Sequence, residues 1–124
     1  MPERSRVEDL VAQVRDGAYV EAIEAFYAEG ATMQENLALP REGRDHLVQY
    51  ERGVLASLKQ MRTLSAGPVL VDGDHVVIRW VFEMTLADGT TRRLEELALQ
   101  RWQGDRIVAE QFFYDPAQLA GRNS

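Results

Sequence analysis

The second half of the chain alternates apolar and polar residues over long segments, and this pattern limits the possible folds more than any other feature. The clearest segment is apolar at every second position: Val76, Ile78, Trp80, Phe82, Met84 and Leu86. A period of two predicts a β-strand with one buried face. Pairs of Asp and Gly at 72–73, 88–89 and 104–105 predict tight turns between consecutive strands. Strands joined so closely pair antiparallel, so the pattern excludes a doubly wound sheet.

The first half carries helical spacing instead. Apolar residues recur at this spacing over 7–14 and again over 19–27, which predicts two helices that form a hairpin. A third helix is predicted from about Asp45, its candidate N-cap, after a short strand within 31–36 and a loop over 39–43. Helices followed by a run of strands predict an α+β fold. If the sheet curves around the helices, the space between them becomes a pocket.

Length and charge restrict the class of protein further. The 124 residues predict a single domain over 1–124, with residues 119–124 as a flexible tail. The formal net charge of -6 disfavours nucleic acid and anionic membranes as partners, because both attract clustered Lys and Arg. No apolar run is long enough to predict a membrane span or a signal peptide. We therefore expect a cytoplasmic protein.

Metal and cofactor chemistry has no signal in the sequence. Cysteine is absent, which excludes disulfides, thiolate nucleophiles and cysteine metal sites. The two histidines, His46 and His75, do not form a pair with metal-ligand spacing. No glycine-rich phosphate loop of the Rossmann or P-loop type occurs. We predict no metal site and no cofactor.

Three stretches carry a resemblance to a known family. They are Phe26–Asn36, which reads Phe-Tyr-Ala-Glu-Gly-Ala-Thr-Met-Gln-Glu-Asn, the loop Pro40–Gly43, and the final hairpin Trp102–Pro116. Together they resemble the SnoaL-like group, named for a polyketide cyclase, of the nuclear transport factor two-like superfamily. The resemblance implies a cone-shaped fold, in which a strongly curved antiparallel sheet wraps around N-terminal helices and encloses a pocket. It also implies a homodimer formed through the sheet.

The same resemblance singles out Glu35. Steroid isomerases of the superfamily place their general base after an Ala-Thr-hydrophobic-acidic stretch, a position that corresponds to Glu35 here. Their two oxyanion donors correspond to Leu10 and Ala98, whose side chains cannot donate a hydrogen bond. Glu35 is therefore a candidate general base or acid, with an exposed loop residue or a structural acid as the alternative readings.

The long strand over 90–102 has two possible registers. In one, Glu96 and Gln100 face the pocket with Ala98 and would orient the substrate. In the other, Leu97 and Leu99 pack inside and the polar residues are solvated. The Ala98 correspondence favours the first register, which would bring Glu96 and Gln100 toward Glu35.

Further site residues come from the end of the chain and from the central strand. The resemblance makes Asp115 a second catalytic candidate, although an acid before a proline also caps turns. Trp80, Phe112 and Tyr114 are candidates for apolar contact with a flat ligand, or for ordinary core packing. Asn36 is a candidate for orienting the substrate.

We expect from this sequence a small-molecule pocket protein, with a cofactor-independent acid/base enzyme as the leading hypothesis. The substrate would be a small apolar organic molecule, and the reaction would be of the isomerase, cyclase, dehydratase or hydrolase type. Two alternatives stay open. One is a non-catalytic binding module for a hydrophobic small molecule, and the other is a dimeric interaction domain with a vestigial pocket.

Overall fold

The computed structural model describes residues 1–120 and contains three helices, α1 (Arg4–Arg15), α2 (Tyr19–Phe26) and α3 (Arg44–Ala56). The N-cap of α3 is Gly43, so the expectation that Asp45 caps this helix is wrong. Asp45 lies in the first turn, where its charge favours the helix N-terminus. Residues 121–124 of the tail predicted over 119–124 lie outside the described residues. No helix within 1–120 is long and apolar enough to cross a membrane.

Six strands form one curved sheet that stays open. Their bounds are β1 (Tyr27–Glu35), β2 (Arg41–Glu42), β3 (Leu58–Asp72), β4 (His75–Leu86), β5 (Thr91–Gln103) and β6 (Arg106–Phe113). The order across the sheet is β2-β1-β6-β5-β4-β3. The α+β cone fold is confirmed. The pairing of β1 with β6 is parallel, so the sheet is mixed and not wholly antiparallel as expected.

The parallel pair arises from the order of elements along the chain. β3 to β6 form the meander that the turn signals predict, and each pairs antiparallel with the next. β1 lies before α3 in the chain and pairs with β6, the last strand of the meander, so it extends the sheet beyond β6. Tyr27 therefore begins a strand, although its apolar side chain continues the spacing of α2.

The structure has the register of β5 that places Glu96 and Gln100 inside. The inward side chains of β5 are at most 8% exposed: Leu94, Glu96, Ala98, Gln100 and Trp102. The outward Leu97 and Leu99 are 48% and 36% exposed. The apolar inward residues Leu94, Ala98 and Trp102 belong to one hydrophobic core with the apolar stripes of α1 and α2. Burial of the apolar stripes on both sides is what holds the helices against the sheet.

Candidate active site

A cavity of about 220 Å³ lies between the helices and the concave face of the sheet. Apolar side chains make up much of its lining, among them Leu10 and Ile23 from the helices and Phe82 from β4. Tyr50 and Leu119 also line it and are 44% and 42% exposed, so they mark the side nearest solvent. Small-molecule sites usually enclose roughly 300–1,000 Å³, so this cavity is smaller than most of them.

Strand pairing places residues of β1, β6 and β5 in two rows on the cavity side of the sheet. Glu35 on β1 lies opposite Phe112 on β6, which lies opposite Ala98 on β5. The neighbouring row contains Glu110 and Gln100, which are paired across β6 and β5. Side chains two residues apart on a strand share a face, and so do residues paired on neighbouring strands. The side chains of these five residues therefore lie on the same face of the sheet.

Glu35 is held by an arginine from the next strand. The Arg41 guanidinium donates to the Glu35 carboxylate at 2.8 Å, and the two side chains are 18% and 30% exposed. The guanidinium carbon of Arg41 also lies 3.7 Å from the centroid of the Tyr50 ring. Stacking on an aromatic face fixes the plane of a guanidinium. The Glu35 carboxylate therefore has a defined position at the cavity wall.

Glu96 has a different environment. Its side chain lines the cavity and is 8% exposed, yet within residues 1–120 it makes no hydrogen bond or ion pair. Burial raises the pKa of Glu96 to about 8, and repulsion from Glu110, Glu35 and Glu51 adds to the rise. Glu96 is therefore largely protonated at neutral pH and can donate a hydrogen bond. A buried polar group without a protein partner is normally satisfied by water or by a ligand.

Glu110 is, by contrast, fully partnered. The Tyr27 hydroxyl donates a hydrogen bond to one oxygen of the Glu110 carboxylate. The side-chain amide of Gln100 donates a hydrogen bond of 2.7 Å to the other oxygen. The indole nitrogen of Trp102 donates to the amide oxygen of Gln100 at 3.0 Å, which fixes the orientation of that amide. Burial raises the pKa of Glu110 to about 7, and the bonds from Tyr27 and Gln100 oppose the rise.

Two other titratable groups complete the polar side of the cavity. Glu51 on α3 lines the cavity, and burial with repulsion from Glu35 raises its pKa, while Arg41 opposes the rise. Tyr114 also lines the cavity, and burial with nearby Glu35 and Glu96 raises its pKa to about 12. The cavity thus carries four carboxyl groups against a single guanidinium. Its potential disfavours an anionic ligand.

Six of the eight residues predicted for the site line this one cavity: Glu35, Trp80, Glu96, Gln100, Phe112 and Tyr114. Trp80 stacks on Phe82 with ring centroids 5.7 Å apart and leaves the cavity open beside it. Asn36 lies outside the lining set, and its side-chain oxygen accepts from the backbone nitrogen of Tyr114 at 3.0 Å. It also has a φ of 49°, a conformation that Asn tolerates in turns.

Asp115 likewise lies outside the set of lining residues. Its side chain accepts a hydrogen bond of 2.9 Å from the backbone nitrogen of Ala117 and caps the short 3₁₀ turn Pro116–Gln118. Of the two interpretations open to the sequence, this geometry matches the turn-capping acid. Asp115 and Asn36 therefore each bind a backbone N–H outside the cavity lining.

The sequence interpretation missed six polar residues of the cavity: Tyr19, Tyr27, Arg41, Tyr50, Glu51 and Glu110. Glu110 had a signal, because it alternates with Phe112 and Tyr114, which were already assigned to the pocket. Glu51 occupies a helix position next to Tyr50, where the apolar spacing of α3 gives no signal for a carboxylate. Tyr27 comes to the cavity through the pairing of β1 with the distant β6, and Arg41 through the pairing of β1 with the nearby β2.

The resemblance matches two positions to the isomerase oxyanion donors, Leu10 and Ala98. Neither side chain can donate a hydrogen bond. Leu10 lines the cavity, and Ala98 is fully buried on the cavity side of the sheet. Within the described part of the chain, no group of three or more His, Cys, Asp or Glu side chains is arranged to hold a metal ion. The polar chemistry of the cavity therefore rests on Glu35, Glu96 and their neighbours.

Comparison with known proteins places the chain in a family. The family model described as SnoaL-like domain matches residues 7–110. The chain belongs to the SnoaL-like domain family, as the stretches around Glu35 and the last hairpin indicate. A search of the curated proteins finds no match.

Solved structures with the same fold extend over nearly the whole chain. A candidate SnoaL-like polyketide cyclase from Mesorhizobium loti is 21% identical, with a TM-score of 0.76, 89% of this chain covered and 97% of that chain. TerC, co-crystallized with polyporic acid, is 18% identical, with a TM-score of 0.79 and coverage of 94% and 93%. A candidate isomerase from Bacillus subtilis is 16% identical, with a TM-score of 0.71 and coverage of 92% and 86%.

Proposed function

We propose that this chain is a cofactor-independent enzyme that transfers a proton within a small, largely apolar organic substrate. One observation carries the proposal: two carboxyl groups in different environments face the same cavity. Glu35 is ion-paired with Arg41, whereas Glu96 has no partner among residues 1–120. A fixed carboxylate and a protonated carboxyl group are the two groups that acid/base chemistry on a carbonyl compound needs.

The reaction would begin with Glu35 removing a proton from the carbon next to a carbonyl group. The electron pair of the broken C–H bond would form an enolate, and its oxygen would accept a hydrogen bond from Glu96. The proton on Glu35 would then return to another carbon conjugated with the enolate. Alternatively, the enolate carbon would attack a second carbonyl carbon of the same molecule, whose C=O π bond opens to an alkoxide that takes the proton from Glu35. These outcomes correspond to isomerisation and to aldol-type cyclisation, and dehydration and hydrolysis use the same pair of groups.

The structural neighbours support a role in small-molecule chemistry. Neighbours in structure include a candidate polyketide cyclase and a candidate isomerase, and TerC was crystallised with polyporic acid. Trp80 and Phe82 form a stacked apolar wall beside the carboxyl groups, which suits a flat ligand. The substrate we infer is therefore a small, uncharged, ring-containing carbonyl compound or phenol.

A direct test is exchange of the α protons of 1-tetralone in D₂O, followed by NMR. Wild type should accelerate the exchange, and Glu35→Gln should slow it by roughly 10²–10⁴-fold, because general-base catalysis contributes about that much. Glu42→Gln is the matched control, since Glu42 is a nearby exposed carboxylate outside the cavity lining. Equal exchange by wild type and Glu35→Gln would remove Glu35 as the base.

A non-catalytic binding module is the second candidate function, and the apolar Leu10 and Ala98 favour it. In that case 1-tetralone would raise the melting temperature of the protein without any exchange of its α protons. A vestigial pocket is disfavoured, because the cavity keeps its volume and Glu96 faces it without a partner among residues 1–120.

A homodimer through the outer face of the sheet is also part of this proposal. Leu97 on β5 pairs with Phe113 on β6, and both are at least 40% exposed. Leu99, Val77 and Leu70 continue this apolar surface across β5, β4 and β3. We call this set the outer apolar face, and we expect a second copy of the chain to cover it.

The cytoplasmic location and the absence of nucleic-acid and membrane partners stay predictions from the sequence.

A further inference from the structure

The chain turns sharply after β6, and this turn forms part of the rim of the cavity. Pro116–Gln118 is a short 3₁₀ turn that Asp115 caps, and Leu119 directly follows it. We call residues 115–119 the rim turn. Leu119 lines the cavity and is 42% exposed, so its side chain borders both the cavity and the solvent. A residue in such a position can limit how far a ligand extends.

Gln118 fixes the rim turn on the sheet. The backbone N–H of Glu95 donates to the side-chain oxygen of Gln118 at 2.9 Å, and the side-chain nitrogen of Gln118 donates to the backbone oxygen of Glu95 at 3.1 Å. A primary amide carries the same kinds of donor and acceptor as a peptide group, so it can take the place of one residue of a paired strand. A single side chain thus attaches the rim turn to β5 by two hydrogen bonds.

The position of this attachment follows from where strand pairing ends. The pairing of β6 with β5 stops at Phe113 and Leu97, whereas β5 itself begins at Thr91. Glu95 lies two residues before Leu97, so the backbone groups of both residues point to the same side of β5. Gln118 therefore bonds the backbone of β5 at the position next to the last pair that β6 makes.

This attachment sets Leu119 at the edge of the cavity that β5 forms. Glu95 is flanked by Leu94 and Glu96, and the side chains of both neighbours line the cavity. Tyr50 of α3 is also a lining residue and is 44% exposed. The opening is therefore bordered by a side chain of α3 and by a side chain of the rim turn.

We propose that Leu119 is a specificity-determining residue that limits the size of the ligand, and that Gln118 is the positioning residue that holds it in place. The cavity, at about 220 Å³, lies below the usual range for small-molecule sites, so a change of one rim side chain should alter what fits. This inference gives the site a size limit, and it rests on the proposed function for the claim that the ligand is an uncharged ketone.

Calorimetry with two neutral ketones tests the size limit. The probes are 1-tetralone and its three-ring homologue dihydrophenanthren-1-one. Wild type should bind 1-tetralone more tightly. Leu119→Ala should shift the ratio of the two affinities toward the larger ketone by roughly tenfold or more, because even one methylene in an apolar site is worth about 10–200-fold. Leu39→Ala, at a leucine that is 91% exposed and outside the cavity lining, should keep the wild-type ratio.

Gln118→Ala tests the positioning role separately. Leu119 is unchanged in this variant, but the rim turn loses both bonds to Glu95, so the affinity ratio should shift in the same direction as in Leu119→Ala. The double variant should shift the ratio no further than Leu119→Ala alone, since Gln118 acts through Leu119. Gln103→Ala, at an exposed glutamine of β5, is the matched control and should keep the wild-type ratio.

Three results would overturn the inference. Tighter binding of the larger ketone by wild type would show that the rim sets no size limit. An unchanged ratio in Leu119→Ala would remove Leu119 as the source of the limit. An unchanged ratio in Gln118→Ala, or single-variant shifts that add fully in the double variant, would remove Gln118 as the residue that positions Leu119.

These outcomes are distinct from failure of the proposed function. If the ratio shifts as expected but the α protons of 1-tetralone do not exchange, the enzymatic proposal fails and the size limit stands. If exchange depends on Glu35 but the ratio ignores Leu119 and Gln118, the enzymatic proposal stands and the size limit fails. Absence of binding of both ketones to wild type and variants alike would overturn the size limit and the ligand class together.

Discussion

Gln100 on β5 donates a hydrogen bond of 2.7 Å to Glu110 on β6, directly across the sheet. Gln100 is 1% exposed and at the same time accepts from the indole nitrogen of Trp102. Gln100→Leu keeps approximate size but leaves one donor and one acceptor without a partner. We expect a loss of about 2 kcal/mol or more in the free energy of unfolding, since each unsatisfied buried group costs roughly 1–3 kcal/mol.

Urea unfolding measures this loss. Gln103→Leu, at an exposed position of the same strand, is the matched control and should change stability by less than about 0.5 kcal/mol. Equal stability of the Gln100 variant and wild type would show that the buried bonds to Glu110 and Trp102 contribute nothing.

The buried acid Glu96 should make stability depend on pH. Its pKa is higher in the folded chain, at about 8, than its ordinary value of 4.5. The folded chain therefore holds this proton more tightly, so the stabilisation is complete below about pH 4.5 and is lost as the pH rises through 8. Glu96→Gln removes this titration, so we expect its stability to decline less than that of wild type between pH 5 and pH 9, by a few kcal/mol at about 1.4 kcal/mol per pKa unit.

Urea unfolding of both proteins at pH 5, 7 and 9 checks this expectation. Glu95→Gln, the outward neighbour on the same strand, should keep the decline of wild type. Parallel declines in wild type and Glu96→Gln would show that Glu96 is not the source.

Arg41 should matter for activity through the orientation of Glu35. Arg41→Lys keeps the charge but loses the planar group that stacks on Tyr50 and donates to Glu35. We expect the rate of α-proton exchange to fall about 10- to 100-fold, because small displacements of a base are costly. Arg62→Lys alters a surface ion pair with Glu83 and serves as the control. A full rate in Arg41→Lys would mean that Glu35 does not depend on its partner.

Replacement of Asp115 tests whether this residue belongs to the active site. Asp115→Ala removes the cap of the turn at Ala117, which should cost about 1 kcal/mol or less. The rate of exchange should fall far less than in Glu35→Gln, because Asp115 does not line the cavity. Exchange assays on both variants decide the matter, and a loss as deep as that of Glu35→Gln would make Asp115 catalytic.

The outer apolar face should govern the oligomeric state. Leu97→Lys places a charge at the centre of this face, and we expect the dimer to dissociate into monomers. Light scattering after size-exclusion chromatography gives the mass of each species. Leu37→Lys changes an exposed leucine on a loop and should leave the mass unchanged. A wild-type monomer, or a dimer that survives Leu97→Lys, would contradict the proposed interface.

The sequence by itself determined the elements and most of their faces. Alternation along β4 and β5 follows from local geometry, since successive side chains of a strand point to opposite sides. For this reason Glu96 and Gln100 could be assigned to one face, with the choice of face left to the Ala98 correspondence. The family was also recognisable, because the segments around Glu35 and Trp102 carry its pattern in order.

Only the tertiary structure decided which residues meet. The parallel pairing of β1 with β6 joins segments far apart in the chain, and it sets Glu35 beside Phe112 and Tyr27 against Glu110. Local periodicity carries no information about such pairings, because they depend on how the whole sheet curves around the helices. Glu110 is fully bonded, whereas Glu96 has no partner in the part of the chain that the structure describes. This contrast is likewise a property of the assembled cavity, and it gives the site its proposed donor.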